Sequence, residues 1–198
     1  MTPETPDECL GRWLAAVVAT PGLTAIADIA EARRMLLEDS LRAVELVAGF
    51  AGSIVDVGSG GGAPGIPLAV SLPGRDVTLL ESNGRKCEFL RAWAPANATV
   101  VRGRAEEQEI EAHGVAVAKA LAPPPVAAEW CLPLVREGGA AVLWIGPTAD
   151  VDVLARVARR LGGELDELRD GIAVLRKVEP TPEGFPRRVG VARKRPLA

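Results

Sequence analysis

Apolar positions recur at helical spacing through the first fifty residues. Thr5 to Glu8 has the form of a capping box with proline at the first helical position, and Pro21-Gly22 ends the apolar stretch that follows. A second helix is predicted to begin after Asp28 and to run toward Gly49. Its predicted buried stripe is Leu37, Leu41, Val44 and Ala48. The chain therefore opens with a helical extension rather than with a strand.

From Ser53 onward, short apolar runs alternate with segments of helix length, which is typical of βαβ units and a mostly parallel sheet. The five predicted strands are Ser53–Val57, Val77–Leu80, Thr99–Val101, Val115–Ala118 and Ala140–Ile145. Helices are predicted over Arg85–Ala94 and from Leu154 to Leu161. In Glu164–Val178, Asp170-Gly171 separates two short segments, which indicates an antiparallel hairpin. The pattern predicts an α/β fold with a mostly parallel sheet that ends in an antiparallel hairpin, and this arrangement resembles the class I methyltransferase (Rossmann-like) fold.

Composition narrows the function classes. The chain has 198 residues, 48% of them hydrophobic and 25% charged, which describes one globular domain with a core and excludes a disordered tail protein. His113 is the single histidine, which excludes HExxH metal sites. The three cysteines, Cys9, Cys87 and Cys131, form no CxxC pair, so neither a disulfide framework nor a zinc ribbon is predicted. We therefore expect no bound metal and a reducing compartment.

The beginning of the chain argues against export. Met1 to Glu8 carries acidic residues where a signal peptide carries basic ones, and no apolar run reaches the length of a membrane span. A cytoplasmic location without a membrane partner is expected.

Charge is unevenly distributed. The formal net charge of −3 argues against a general nucleic-acid footprint, but the chain from Pro180 onward carries five basic residues and one acid. These basic residues are Arg187, Arg188, Arg193, Lys194 and Arg195. They either contact phosphates or belong to a frayed, solvated tail. Arg85, Lys86 and Arg91 lie on a predicted helix. They either extend this basic surface or form a solvated helix face.

A glycine-rich loop is the strongest chemical signal. Asp56-Val57-Gly58-Ser59-Gly60-Gly61-Gly62 directly follows the first strand, and Pro64-Gly65 opens the next helix. Glycines there let the backbone turn sharply and approach a ligand. The stretch also fits GxGxxG through Gly60, Gly62 and Gly65. A dinucleotide site and a turn without a ligand therefore remain alternatives.

Two features favour S-adenosylmethionine as the cofactor over NAD. Asp56 precedes the first glycine by two positions, in the D-x-G-x-G-x-G form that faces a cationic amino acid moiety. Ala105-Glu106 follows the third strand, where a backbone amide and a carboxylate can recognise an adenine edge. Glu81 ends the second strand and can accept both ribose hydroxyls, which fits either cofactor.

These residues resemble a known family. Ile54–Gly60, Pro64–Leu68 and Thr78–Lys86 are similar to the RsmG (GidB) family, bacterial methyltransferases that act on N7 of a guanine in small-subunit ribosomal RNA. Leu23–Ile26 and Asp39–Leu41 resemble the family's helical preface. Phe185–Gly190, with Lys194 and Pro196-Leu197, resembles its C-terminal tail.

The resemblance assigns roles to several residues. It implies cofactor contacts at Gly58, Ala63, Glu81, Ala105 and Glu106, which join Asp56, Gly60 and Gly62 of the loop. It places Lys119 in the active-site region, and the tail residues predicted to contact RNA are Arg187, Arg188 and Lys194. The expected partner is ribosomal RNA in the small subunit, and the protein is expected to be a monomer. The predicted parts are a helical extension (1–50), an S-adenosylmethionine-binding domain (51–180) and a basic tail (181–198).

The sequence departs from the family at four positions on the expected RNA side. Lys119 stands where the family usually has arginine, Met35-Leu36 where it has Arg-His, and Ile145 where it has lysine. A different acceptor, or loss of turnover, therefore remains an alternative. Lys119 has its own alternative, a salt bridge with Glu106 or Glu81 at the end of the fourth strand.

Overall fold

A seven-stranded mixed sheet forms the centre of the protein. The computed structural model describes residues 5–197, so Met1–Glu4 and Ala198, parts of the predicted extension and tail, lie outside the described residues. The strands are β1 (Ile54–Val57), β2 (Val77–Glu81), β3 (Ala98–Arg102), β4 (His113–Ala118), β5 (Val135–Trp144), β6 (Gly163–Arg169) and β7 (Ile172–Lys177). Their order is β3-β2-β1-β4-β5-β7-β6. Strands β1 to β5 pair in parallel, and β7 is antiparallel to both β5 and β6.

This topology confirms the predicted fold class. All five predicted parallel strands are present, with ends that differ mainly where β4 and β5 begin earlier. The hairpin is formed at the predicted turn, because Asp170 and Gly171 have positive φ values of 48° and 80°. Two consecutive left-handed residues match the twist of the flanking strands.

Helices cover both faces of the sheet. They are α1 (Pro6–Ala19), α2 (Ile29–Ala32), α3 (Asp39–Leu41), α4 (Val44–Ala48), α5 (Gly65–Ser71), α6 (Gly84–Trp93), α7 (Pro124–Cys131), α8 (Val151–Arg160) and α9 (Val191–Lys194). The predicted capping box is formed, since Thr5 and Glu8 exchange hydrogen bonds at the start of α1. Within residues 5–197, no helix is both long and apolar enough to cross a bilayer.

The predicted second helix is interrupted, and its predicted stripe is confirmed only in part, since Leu41 and Val44 are half-buried against the core beside Leu37. Asp28 caps α2 as expected, but a π-helical turn, Arg33–Glu38, follows it and separates α2 from α3. A π turn adds a residue to the helical repeat, so the positions facing the core shift in phase. The buried positions are Ala32, Leu37, Ser40, Ala43, Leu46 and Val47. Of the predicted stripe only Leu37 is fully buried, and Ala48 is exposed.

Alternate side chains of the central strands belong to two hydrophobic clusters, one on each face of the sheet. Ile54 and Val115 belong to the cluster beneath α1, α5 and α6. Val55 and Ala116 belong to the cluster beneath α7, α8 and the C-terminal residues. The helical extension and the C-terminal segment thus each complete one face of the sheet. The exact boundaries of the three predicted parts stay a prediction.

Candidate active site

The glycine loop leaves β1 at the carboxyl edge of the parallel strands. The N–H groups of Gly58 and Ser59 both donate to the carbonyl of Leu80 on β2, at 2.8 and 3.1 Å. The Asp56 carboxylate accepts from the N–H of Gly65, at 3.0 Å, where α5 begins. Asp56 therefore joins the two ends of the loop.

The Asp56 carboxyl group is only 1% exposed. Burial raises the pKa of Asp56 to about 7, and the nearby charge of Glu81 adds to this rise, whereas the Gly65 hydrogen bond opposes it. Two neighbouring carboxyl groups beside a loop of backbone N–H groups form an environment that favours a cationic ligand. A direct ligand contact by Asp56 stays a prediction, because the residue lies behind the loop.

We expect Asp56→Asn to remove part of the pH dependence of stability. Because the pKa is higher in the folded state, Asp56 stabilises the fold fully below about pH 4, and this contribution is lost as the pH rises to about 7. The rise of the Asp56 pKa from 3.8 to about 7 corresponds to roughly 4 kcal/mol in the free energy of unfolding. Urea unfolding of the ligand-free protein at pH 5 and pH 8 should show a smaller difference in the variant. Parallel pH profiles for variant and wild type would contradict this assignment.

Glu81 ties the loop to β2. Its side chain is 7% exposed and accepts hydrogen bonds from the N–H of Gly60 at 3.0 Å and from the N–H of Asn83 at 2.7 Å. The second of these bonds orders the start of α6, where Asn83 is the N-cap residue. The carboxylate is thus held at the end of the strand by backbone groups on both sides.

Trp13 holds the opposite side of the loop. Its indole N–H donates to the carbonyl of Gly61 at 2.9 Å, and its side chain is fully buried. At Gly62, the last glycine of the loop, an added Cβ would be 3.0 Å from the Trp13 Nε1 atom. Sequence reasoning placed Trp13 in the core, as observed, but missed its contact with the loop, because the partner lies 48 residues away.

A first cleft, of about 400 Å³, opens at the ends of β1, β2 and β3. It is lined by Val57, Gly58, Leu80, Ser82, Gly103, Arg104, Ala105, Glu106, Leu121, Trp130 and Arg193. The predicted pair Ala105-Glu106 is therefore brought beside Gly58. The mixture of apolar walls and a few polar groups suits a flat, partly polar ligand.

A second cleft, of about 630 Å³, lies between the glycine loop and the helical extension. It is lined by Trp13, Val17, Leu23, Leu36, Gly58, Ser59, Gly60, Gly61, Ala63, Lys86, Lys119 and Ala120. Gly60, Ala63 and Lys119 are thus brought together here. Gly58 borders both clefts, so the two clefts adjoin at the glycine loop.

Lys119 bridges the end of β4 and the helical extension. Its ammonium group lies 2.7 Å from the carbonyl oxygen of Met35 and 3.1 Å from the Asp39 carboxylate. The alternative salt bridge with Glu106 or Glu81 is therefore wrong, and the partner is Asp39. These contacts use two of the three ammonium protons, which leaves one for a further acceptor.

Gly58 has no room for a side chain where it borders the two clefts. Gly58 has φ +72°, and an ideal Cβ at this position would lie 2.3 Å from Leu121 Cδ1. Any side chain would therefore fill the point where the two clefts meet.

The C-terminal segment is folded onto the domain, so the alternative of a frayed, solvated tail is wrong. Arg187 forms a two-pronged ion pair with Glu129 of α7, and its guanidinium also donates to the carbonyl of Arg195. Arg187 is therefore an internal anchor in this arrangement rather than a free phosphate contact. Arg188 and Lys194 are exposed, and their contact with RNA stays a prediction.

Glu129 was missed by the sequence reasoning although a signal for it exists. It is the one acid in the apolar run of α7 and is 1% exposed. A buried carboxylate requires a partner of opposite charge, so its isolation predicts a distant arginine or lysine. The sequence alone does not say which one.

Comparison with known proteins gives a consistent picture. The model of the GidB family, described as rRNA small subunit methyltransferase G, matches residues 11–159. A ribosomal RNA small subunit methyltransferase G of Synechococcus elongatus is 36% identical over 198 residues, covering 88% of this chain and 82% of the relative. The protein of that name from Symbiobacterium thermophilum is 37% identical over 205 residues, with the same two coverages.

A solved structure shares the fold at low identity. The T. thermophilus 16S rRNA N2 methyltransferase RsmC, solved in complex with AdoMet and guanosine, aligns with a TM-score of 0.52 at 18% identity. The alignment covers 71% of this chain and 40% of that chain. This similarity supports the fold of the sheet and its helices.

Proposed function

The chain belongs to the GidB family, rRNA small subunit methyltransferase G, and from that premise we propose that it methylates N7 of a guanine in small-subunit ribosomal RNA. It is an S-adenosylmethionine-dependent methyltransferase that acts on ribosomal RNA. The proposal adds the acceptor atom and the residues that serve it.

One observation carries the choice of N7. Among the described residues that line the second cleft, none is an aspartate, a glutamate or a histidine, and the chain contains no tyrosine. The cleft therefore provides lysines but no carboxylate, imidazole or phenol to act as a general base. Guanine N7 has an exposed lone pair and no proton to remove, so its methylation needs no base. An acceptor that loses a proton on methylation would be poorly served by these residues.

We assign the two clefts to the two halves of the cofactor. Ala105, Glu106 and Glu81 would hold the adenine and the ribose, and the loop at Gly60 and Ala63 would hold the amino acid half. When bound, S-adenosylmethionine supplies an electrophilic methyl group on a positively charged sulfur. The loop residues position that half of the ligand, and the second cleft orients the guanine base toward it.

Lys119 would orient the substrate. Its remaining N–H can donate to guanine O6 or to a phosphate oxygen beside the second cleft, as lysine does in other nucleic acid complexes. Asp39 and the Met35 carbonyl restrict the ammonium position, so the donor is held in place before the RNA binds. Lys86 also lines this cleft and would add an attraction for phosphate.

The remaining assignments concern the partner and the cell. Arg188 and Lys194 would contact phosphates of the ribosomal RNA from the C-terminal segment, and a monomer without a metal would suffice for the reaction. The cytoplasm is the proposed location, because small-subunit ribosomal RNA is the substrate.

We expect the protein to form 7-methylguanosine on 30S particles from a strain that lacks its own enzyme of this family. Lys119→Ala should lower the rate by about 30- to 1000-fold, the loss typical of one charged contact at an active site. Lys119→Arg, which restores the residue usual in the family, should keep most of the activity. Mass spectrometry of digested RNA measures the modified nucleoside.

A control variant tests whether the loss of any positive charge lowers the rate, and a binding measurement tests the choice of acceptor. Arg156→Ala, at an exposed position of α8, removes a positive charge that lines neither cleft and should leave the rate unchanged. Leu36 lines the second cleft where the family resemblance expects histidine, which could alter the acceptor. Tight cofactor binding without any 7-methylguanosine would overturn the N7 proposal and favour a different acceptor or lost turnover.

A further inference from the structure

The last residues of the chain form what we call the C-terminal strap, residues 185–197. Ala192 is 1% exposed and Leu197 is 4% exposed, and both belong to the hydrophobic cluster that includes α7. Phe185 packs against the same cluster. The strap is thus a packed part of the fold, although its basic composition resembles that of a solvated tail.

Two contacts bring the strap to the first cleft. The N–H of Gly190 donates to the Glu106 carboxylate at 3.2 Å. The Arg193 guanidinium lies over the ring of Trp130, 5.2 Å from its centroid, and both residues line the cleft. The strap therefore supplies part of the wall of the first cleft, beside Glu106 and Trp130.

From these contacts we propose that the strap belongs to the cofactor site. Arg193, stacked on Trp130, forms the outer wall of the adenosine half and packs its flat guanidinium against the adenine base. Arg187 acts as a positioning residue, because its ion pair with Glu129 fixes the strap on α7. This inference rests on the assignment of the first cleft to adenosine.

The electrostatics explain why Arg187 suits that role. The Glu129 side chain is 2% exposed and that of Arg187 is 22% exposed, so the pair is mostly removed from water. The hydrogen bonds from Arg187 to Glu129 raise the pKa of the guanidinium. Removing the arginine would leave a buried carboxylate without compensation, so the strap would be released or displaced.

The strap presents different residues to the cleft and to solvent. Arg188, Lys194 and Arg195 are exposed, and no hydrogen bond or ion pair of their side chains is formed with any residue in 5–197. The two strap arginines of the proposal, Arg187 and Arg193, thus each have an adjacent basic neighbour that serves as a matched control for cofactor binding. Arg187 pairs with Arg188, and Arg193 pairs with Lys194.

The test is calorimetric titration of the full chain with S-adenosylhomocysteine and, separately, with adenosine. We expect Arg193→Ala to raise the Kd of both probes about fivefold or more, since a stacked cation is lost next to the base. Arg193→Lys should fall between Arg193→Ala and wild type. Lys194→Ala should stay within about twofold of wild type for both probes.

Arg187→Ala should weaken both probes as Arg193→Ala does, and Arg188→Ala should weaken neither. If Arg187→Ala does not fold, the exposed position 193 still decides the result, because its side chain belongs to neither core cluster. Unchanged affinity of Arg193→Ala for adenosine would overturn the inference. A wild-type protein that fails to bind S-adenosylhomocysteine would instead overturn the assignment of the clefts.

Discussion

Gly58→Asp is expected to abolish methyl transfer and to weaken S-adenosylhomocysteine binding by at least about 100-fold, equivalent to roughly 3 kcal/mol. A Cβ at this position would lie 2.3 Å from Leu121 Cδ1, at the point where the two clefts meet. Leu121 itself lines the first cleft, so a shift of its side chain away from the new Cβ would change the shape of that cleft. The side chain and the displaced leucine would thus occupy the space of the ligand. Titration calorimetry and the 7-methylguanosine assay measure the two losses.

Gly138→Asp is the matched control for Gly58→Asp. Gly138 also has a positive φ, +77°, but an added Cβ there has no atom within 4 Å among the described residues. The control therefore carries the same change and a comparable backbone strain without filling a cleft. Equal losses in both variants would show that strain, rather than occupation of the cleft, explains the effect.

Glu81→Ala is expected to weaken cofactor binding by about 1.5–3 kcal/mol, or roughly 10- to 150-fold in Kd. Part of this loss comes from the proposed hydrogen bonds to the ribose, and part from the N–H groups of Gly60 and Asn83, which lose their acceptor. The fold should survive, because β2 is paired on both sides. Titration of wild type and variant with S-adenosylhomocysteine gives the difference.

A ligand that lacks the 2′-hydroxyl of the ribose separates these two contributions. For wild type, 2′-deoxyadenosine should bind less tightly than adenosine, whereas Glu81→Ala should bind both alike. Glu88→Ala, at an exposed position on α6, should behave as wild type. A variant that still prefers adenosine as strongly as wild type would remove Glu81 from the ribose site and leave it the role of loop anchor.

The strands and the glycine loop were predictable because their signals are local. Alternation of apolar runs with helix-length segments follows from the burial of a parallel sheet on both faces. The hairpin was predictable because Asp170-Gly171 provides the two left-handed residues that its turn requires. The loop was recognised for the same reason, since Gly58 and its neighbours are adjacent in the chain.

The remaining features depend on contacts between distant parts of the chain. The π turn at Arg33–Glu38 changed which residues face the core, and neither composition nor periodicity marks such a turn. The partner of Lys119 lies 80 positions earlier at Asp39. Arg187 looked like its neighbour Arg188, and only the packing of α7 against the strap distinguishes them. The charge of a side chain indicates that it can form an ion pair, but only the fold determines with which residue it forms one.

The hydrogen bond from Trp13 to the Gly61 carbonyl makes the helical extension part of the proposed cofactor site. Opening of α1 would release the loop, so local unfolding at the beginning of the chain and loss of the binding-competent loop are one event. Amide hydrogen exchange in α1 should therefore slow when cofactor binds, although α1 provides few of the residues around the ligand. For the same reason, a fragment that starts at β1 would retain every glycine of the loop but lack the indole that holds it in shape.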